Sequence, residues 1–326
     1  MKRCKRLGFI MLSSLFLFSM ILTTSCEIND SSPFPFFSSG SSDSGSGDGV
    51  EEAGDGNTAV SDLVRTTKNG DVKGTTDVEE TWAWLGIPYA KPPVGALRWR
   101  APQAPASWTG TRDASRFCRM CPQYGNFISE TGRDSLAGLW GKGVLVGSED
   151  CLYLNVWRPK TKDRLPVFVF IHGGANVIGR SDLTIYNGAR LASRQKMVVV
   201  TINYRLGTLG WFAQKALNTG DRKDDSGNFG TLDIIKALEW IRDNIEAFGG
   251  DPGNVTISGQ SAGGMNVASM LVSPLSEGLF HRAIIISGPP QSVPMSLARP
   301  RADSILHRLM KRDGPADTTS KARELA

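Results

Sequence analysis

Residues 258–265 read SGQSAGGM, and inside them Gly259-Gln260-Ser261-Ala262-Gly263 forms a G-x-S-x-G pattern. A serine so placed can attack an acyl group when it sits on a tight turn from a buried strand into a helix. The flanking glycines let strand and helix pack closely, the hydroxyl stands clear at the helix N-terminus, and the N–H of the next residue, here Ala262, points into the same space. The pattern alone is common. Its context is what lifts it: strand-like NVTISG before, helix-like AGGMNVASMLV after. The bland alternative is a glycine-rich turn with an ordinary capping serine. A second stretch, His172-Gly173-Gly174-Ala175, follows directly on the apolar run 167–171. Acyl transfer builds negative charge on an oxygen, and backbone N–H groups on a glycine turn can approach it closely, at about 3 kcal/mol of barrier per donor. The bland reading there is a strand-ending glycine turn.

An attacking serine needs a base, and the chain holds three histidines. His172 belongs to the glycine turn and reads as orienting that loop. His281 heads an apolar strand and reads as a packing position. His307, in SILHRLMKR, reads as a solvated residue on a helix whose apolar side would be Leu306, Leu309 and Met310. None is expected to serve Ser261.

The surrounding periodicities say what must hold these residues. CLYLNVWRP (151–159) has strand character. LPVFVFIHGG (165–174), KMVVVTINY (196–204), NVTISG and HRAIIISG (281–288) are apolar runs of the kind that form strands buried on both faces. TLDIIKALEWIRDNIEAFGG is a helix, with Ile234, Leu238, Ile241, Ile245 and Phe248 on one stripe and Gly249 and Gly250 ending it. VRTTKNGDVKGTT alternates around Asn69-Gly70, a hairpin signal. Strand and helix alternate, so the sheet is expected to be mostly parallel with helices on both faces.

The N-terminus carries a different signal. MKRCKR is basic, LGFIMLSSLFLFSMIL is apolar, and small residues TTSC follow, the layout of a targeting segment over residues 1–26. Cys26 is placed as the lipidated first residue of an exported lipoprotein, and Glu27 after it points to an outer-membrane destination. Thr23 and Leu22 fit such a cleavage site imperfectly, and plain secretion or an uncleaved anchor are the other readings. The apolar run is short for a span, which needs about 20 residues. Residues 27–60, rich in Ser, Gly and Asp, read as a disordered tether, and 61–326 as the globular part. The formal charge of +5 falls to +1 once Lys2, Arg3, Lys5 and Arg6 are set aside, so it carries no nucleic-acid signal. GKGVLVG (141–147) lacks the spacing of a dinucleotide turn, SRQK (193–196) has no companion motif, and no His/Cys metal cluster is evident, so no cofactor is expected.

Read in order, Glu149-Asp150-Cys151-Leu152-Tyr153-Leu154-Asn155-Val156, HGGA, NYRLGTLGWF, GNFGTLDIIKALEWIRDNIEAFGGDPGNVTISGQSAGG and LFHRAIIISG closely resemble the type-B carboxylesterase family, over about residues 61 to 290. The resemblance implies an α/β-hydrolase fold and hydrolysis of a small-molecule carboxylic ester through an acyl-enzyme. It implies Ser261 as nucleophile, Gly174, Ala175 and Ala262 as oxyanion donors, and a Cys121–Cys151 disulfide. That bridge closes a loop of about 30 residues and is worth roughly 3 kcal/mol. Cys118 is left over, either a free thiol or a competitor of Cys121 for Cys151.

Gln260, Asn176 and Ile234 depart from the family, which more often has glutamate, an aromatic and glutamine there. The change at Asn176 implies a different acyl pocket. The family's acid and histidine lie far downstream of the serine, and no such loops are found after Ser261. The domain is therefore expected to lack its C-terminal part, to be inactive alone, and to leave an unpaired apolar edge on strand 282–288. The alternative is a non-catalytic binding module like the cholinesterase-like adhesion proteins, which typically lack the nucleophile that Ser261 supplies here.

Overall fold

The computed structural model describes residues 9–12, 62–125 and 143–313. Cys26 and the tether lie outside these residues. The frame is an eight-stranded sheet in the order β1 (Phe9–Leu12), β13 (Arg282–Ile286), β12 (Gly250–Gln260), β10 (Leu165–Ile171), β11 (Val198–Ile202), β9 (Tyr153–Pro159), β5 (Thr81–Pro88), β4 (Thr75–Asp77). The apolar runs read in the sequence supply β9 to β13. β11 is buried at every residue, as expected of VVVTI, whereas Phe168 and Phe170 on β10 are only half-buried.

From β1 to β11 all neighbours are parallel, and from β11 through β9 and β5 to β4 all are antiparallel. The expectation of a mostly parallel sheet holds for the half that carries Ser261. It fails for the other half because β4 and β5 are joined by residues 78–80 alone, a link that can only return the chain antiparallel. Two small sheets flank the main one: β2 (Val64–Thr67), β3 (Gly70–Lys73) and β6 (Thr111–Asp113), and a pair, β7 (Gln123–Tyr124) with β8 (Leu145–Val146). The β2–β3 hairpin turns at Lys68-Asn69, one residue earlier than the Asn69-Gly70 signal, with Thr67 paired to Gly70. Tertiary bonds hold that turn: the Lys68 N–H donates to Asn244 Oδ1 and Asn69 Nδ2 to Pro105 O.

Among the described residues, five helices complete the layers: α1 (Ala189–Gln195), α2 (Gly207–Gly210), α3 (Phe229–Asn244), α4 (Ala262–Val272) and α5 (Met295–Asp313). Side chains alternate across a strand, and the core divides accordingly. Ala83, Leu85, Trp157 and Val199 pack with Ala189 and Ala192 of α1. Trp84, Val156, Val167 and Val200 pack with Ile234, Leu238 and Ile241 of α3. Helices thus cover both faces. The stripe read as one helix runs from α3 into a 3-10 turn, Ile245–Phe248, and is entirely buried: Ile234, Leu238, Ile241, Ile245 and Phe248 are each 0% exposed, and Gly249 at φ 71° ends the run.

Three expectations about the chain's later part need correction. HRAIIISG was read as a strand buried on both faces, but on β13 only Ala283 is buried, and Ile286 is 37% exposed, because the described residues leave its outer side largely uncovered. Its edge was expected to be unpaired. Instead β1 lies parallel on it, Phe9 opposite Ala283 through Leu12 opposite Ile286, an apolar segment adding itself to an open backbone row. On α5, Ala302 and Met310 are buried, but Leu309 is exposed and Leu306 half-buried, so the apolar side read there is only partly used. Cys121 and Cys151 are bonded, and Cys118 is the free thiol. No helix among the described residues is long and apolar enough to cross a membrane.

Candidate active site at the β12–α4 turn

β12 ends at Gln260, and α4 begins at Ala262. Between them Ser261 sits at φ 55°, ψ −123°, a backbone region that side-chain-bearing residues rarely adopt and that costs on the order of 1–3 kcal/mol. An ordinary capping serine would accept a bond from an N–H of the helix's first turn. Ser261 makes no such bond, so its hydroxyl is not used as a cap. The strain is held by the backbone: the Ser261 N–H donates to Ile286 O at 2.9 Å, and Ser261 O accepts from Met265 N at 3.0 Å. Close packing explains the glycine after it. A Cβ on Gly263 would stand 2.1 Å from Ile171 O and 2.7 Å from His172 O.

That contact also brings the second motif to the first. Ile171, the last residue of β10, pairs with Gly259 on β12. A Cβ placed on Gly173 would lie 3.3 Å from Ser261 Cβ and 2.7 Å from Gln260 O. Gly174 (φ 105°), Ala175 (φ 52°) and Asn176 (φ 59°) follow, three consecutive left-handed residues. For Ala175 this costs roughly 1–2 kcal/mol, so the turn is held rather than chosen. The holding bonds are Val177 N and Ile178 N to Gly174 O, both 3.0 Å, and Gly207 N to Asn176 O at 2.7 Å. The N–H groups of Gly174, Ala175 and Ala262 donate to no backbone carbonyl outside the regular elements, and Ala262 is the first residue of α4, where helical N–H groups lack intrahelical partners. The structure therefore sets the turn that holds Gly174 and Ala175 beside the Ser261–Ala262 turn, with Ser261 half-buried and Ala175 exposed.

It does not bring a histidine. His172 is buried, stacks on Tyr204 with ring centroids 4.4 Å apart, and has Nδ1 2.8 Å from Gly173 O. His281 is exposed, and its Nδ1 accepts the Val255 N–H at 3.1 Å. His307 is exposed on α5. Burial holds the His172 imidazole down to about pKa 4. The folded value lies below the unfolded one of about 6.5, so this contribution is intact above pH 6.5 and is lost as pH falls toward 4. The expected loss is about 2 kcal/mol at pH 5 and about 3 kcal/mol near pH 4. Urea unfolding of wild type and His172→Gln at pH 7.5 and pH 5 checks this: the variant should lose markedly less on acidification.

Several supporting residues went unread in the sequence. Tyr204 is 0% exposed and its hydroxyl donates to His172 O at 2.7 Å, fixing the turn from behind; burial pushes its own ionisation far up. Arg205 and Asp233, both buried, form a bidentate pair, Nε to Oδ2 at 2.8 Å and Nη2 to Oδ1 at 2.7 Å. Asn266 on α4 donates to Asn176 Oδ1 at 2.9 Å. A signal did exist for Asp233: it lies eight residues before Ile241, on the buried side of α3, and a carboxylate there requires a cation. A cavity of about 420 Å³ lies elsewhere, lined by Thr66, Thr67, Lys68, Asp243, Asn244, Glu246 and Ala247, and Ser261 takes no part in it. Among the described residues no group of His, Cys, Asp and Glu could hold a metal ion.

Comparison with known proteins agrees with this geometry. The profile of the carboxylesterase family matches residues 61–318. Para-nitrobenzyl esterase of Bacillus subtilis is 42% identical over 255 residues, 78% of this chain and 49% of that protein. Fumonisin B1 esterase of Sphingopyxis macrogoltabida is 44% identical over 242 residues, 74% of this chain and 41% of the relative. Among solved structures, a PNB esterase superposes with a TM-score of 0.69 at 41% identity, over 76% of this chain and 48% of the other. A Geobacillus stearothermophilus carboxylesterase gives 0.65 at 35% identity, over 75% and 48%. The chain thus spans about half the length of these proteins or less.

Proposed function

The chain belongs to the carboxylesterase family, and from that premise we propose that it forms the nucleophile-bearing part of a serine esterase that cleaves small carboxylic esters through an acyl-enzyme. Ser261 attacks the ester carbonyl. The N–H groups of Gly174, Ala175 and Ala262 receive the oxyanion. One observation carries the reading: a serine in strained backbone, uncapped, lies beside a left-handed turn whose Gly174 and Ala175 N–H groups donate to no backbone carbonyl among the described residues. Strain and free donors at one turn fit charge stabilisation in an acyl transfer.

The base and the acid that orients it are proposed to come from outside these 326 residues, since each of the three histidines is engaged or placed elsewhere. On its own the chain should show no more than the residual acceleration of an oxyanion hole without its triad, roughly 10³-fold over water. The experiment mixes a short p-nitrophenyl ester with the protein expressed together with any downstream coding sequence. A burst of about one p-nitrophenol per chain, and an acyl mass on the peptide holding Ser261, is the expected result. A longer protein that is dead, or acylated elsewhere, overturns the proposal.

We further propose export and lipidation at Cys26. Cleavage before Cys26 removes Phe9–Leu12, so the lipidated protein cannot keep β1 on β13, and that edge is then open to another strand. Metabolic labelling with palmitate should mark the wild type and not Cys26→Ser; equal labelling of both ends the lipoprotein reading.

A further inference from the structure

The donors proposed for the oxyanion come from two segments. Ala262 N–H belongs to the first turn of α4, and those of Gly174 and Ala175 belong to the loop after β10. Such a set is preorganised only if the two segments cannot shift against each other. The main-chain contact at Gly263 prevents closer approach, but it does not prevent separation or sliding.

A side-chain bond crosses between the segments. Asn266 Nδ2 donates to Asn176 Oδ1 at 2.9 Å. Asn266 is four residues after Ala262, hence one turn further along the same face of α4, and only 4% exposed. Asn176 directly follows Ala175, and its left-handed backbone (φ 59°) is one that asparagine tolerates. Its carbonyl accepts Gly207 N–H, and its Oδ1 lies 3.4 Å from the Tyr204 hydroxyl, whose proton goes to His172 O. Asn176 is therefore tied at both its backbone and its side chain, to α4 on one side and to the loop after β11 on the other. We propose that the Asn176–Asn266 pair is a positioning clamp that sets the oxyanion turn against the helix bearing Ala262. The inference rests on the esterase reading for its purpose, and on these bonds alone for its existence.

A polar pair in a protein interior could equally be mere satisfaction of buried groups. The two roles separate in Asn266→Leu, which keeps the branched outline and the heavy-atom count of the side chain, is somewhat larger and a better helix former, and removes the donor. Amide hydrogen exchange of the 326-residue chain reads the clamp without any turnover. In Asn266→Leu the amides of Val177, Ile178 and Gly207 should exchange at least about 10-fold faster, while those of α3 stay unchanged. In the active longer esterase the same variant should lose roughly 10- to 100-fold in kcat, the effect of a small displacement of reacting groups, with KM changed less than about twofold and the melting temperature kept. Asn266→Ser, which retains a shorter side-chain donor, should lose less kcat than Asn266→Leu. Unchanged exchange in Asn266→Leu overturns the clamp whatever the activity. Faster exchange with unaltered kcat overturns its positioning role. A longer protein without activity dependent on Ser261 sinks the esterase reading instead, and the exchange result still decides whether the clamp exists.

Discussion

Ser261→Ala is expected to lower kcat/KM of the active esterase by at least about 10⁴-fold, while the melting temperature stays within a degree or two of wild type. The catalytic loss follows from removing the atom proposed to form the acyl bond; what remains is the proposed oxyanion site and substrate binding. The stability expectation is specific to this turn. The hydroxyl caps nothing, so its deletion orphans no donor. Alanine still carries a Cβ and so keeps the strain at φ 55°, ψ −123°. Glycine does not, and Ser261→Gly should be more stable than either by about 1 kcal/mol, even after the extra freedom of the unfolded chain is counted. Activity measured beside urea unfolding for the three proteins tests both parts. An alanine variant that hydrolyses the ester, or a glycine variant less stable than the wild type, contradicts the account of a strained nucleophile.

The sequence was most legible where one period and one chemistry coincide. The five-residue stripe of α3 and the 3-10 turn after it was read residue by residue because a helix packed on a sheet repeats its apolar face every three or four positions, and all five side chains are fully buried. The nucleophile turn and the glycine turn were legible because glycines are obligatory where Gly263 meets Ile171 O. The hairpin was found but set one residue late, since Asn-Gly marks a turn only until tertiary bonds such as Lys68 N–H to Asn244 compete. β5 was missed outright. TWAWLGIP has neither clean alternation nor a long β-branched run, and its place between β4 and β9 comes from pairing partners that lie far off in sequence. The clamp was invisible for the same reason, and so was the partner of Asp233, although a carboxylate on the buried side of α3 asked for a cation: Asn176 and Asn266 are 90 residues apart and Arg205 and Asp233 are 28, and neither spacing has a period. The burial of β13 was overread because an apolar run states what a strand can bury, not what is there to cover it.

Asp233→Asn is expected to be the most destabilising conservative substitution in the described core, by about 3–5 kcal/mol, because it leaves a buried guanidinium without its counter-charge. Asp233 is 0% exposed and Arg205 2%. The carboxylate receives Arg205 Nε, Nη2 and the Arg205 backbone N–H, while Nη1 has no hydrogen-bond partner among the described residues and the guanidinium lies 5.3 Å from the ring centre of Phe229. For a domain of this size the loss should appear as a fall in Tm of about 10 °C or more. Arg205→Met combined with Asp233→Leu removes both charges and should cost clearly less than Asp233→Asn alone, since no uncompensated ion remains. The pair also bears on the site: Arg205 lies between Tyr204, which holds His172 O, and Gly207, which holds Asn176 O. The double variant should therefore recover stability without fully recovering kcat, because apolar side chains fill the volume but do not hold the β11 loop at a fixed bond length. A double variant no more stable than Asp233→Asn would show that the ion pair supplies net stability, and a double variant with wild-type kcat would show that the oxyanion turn is set without it.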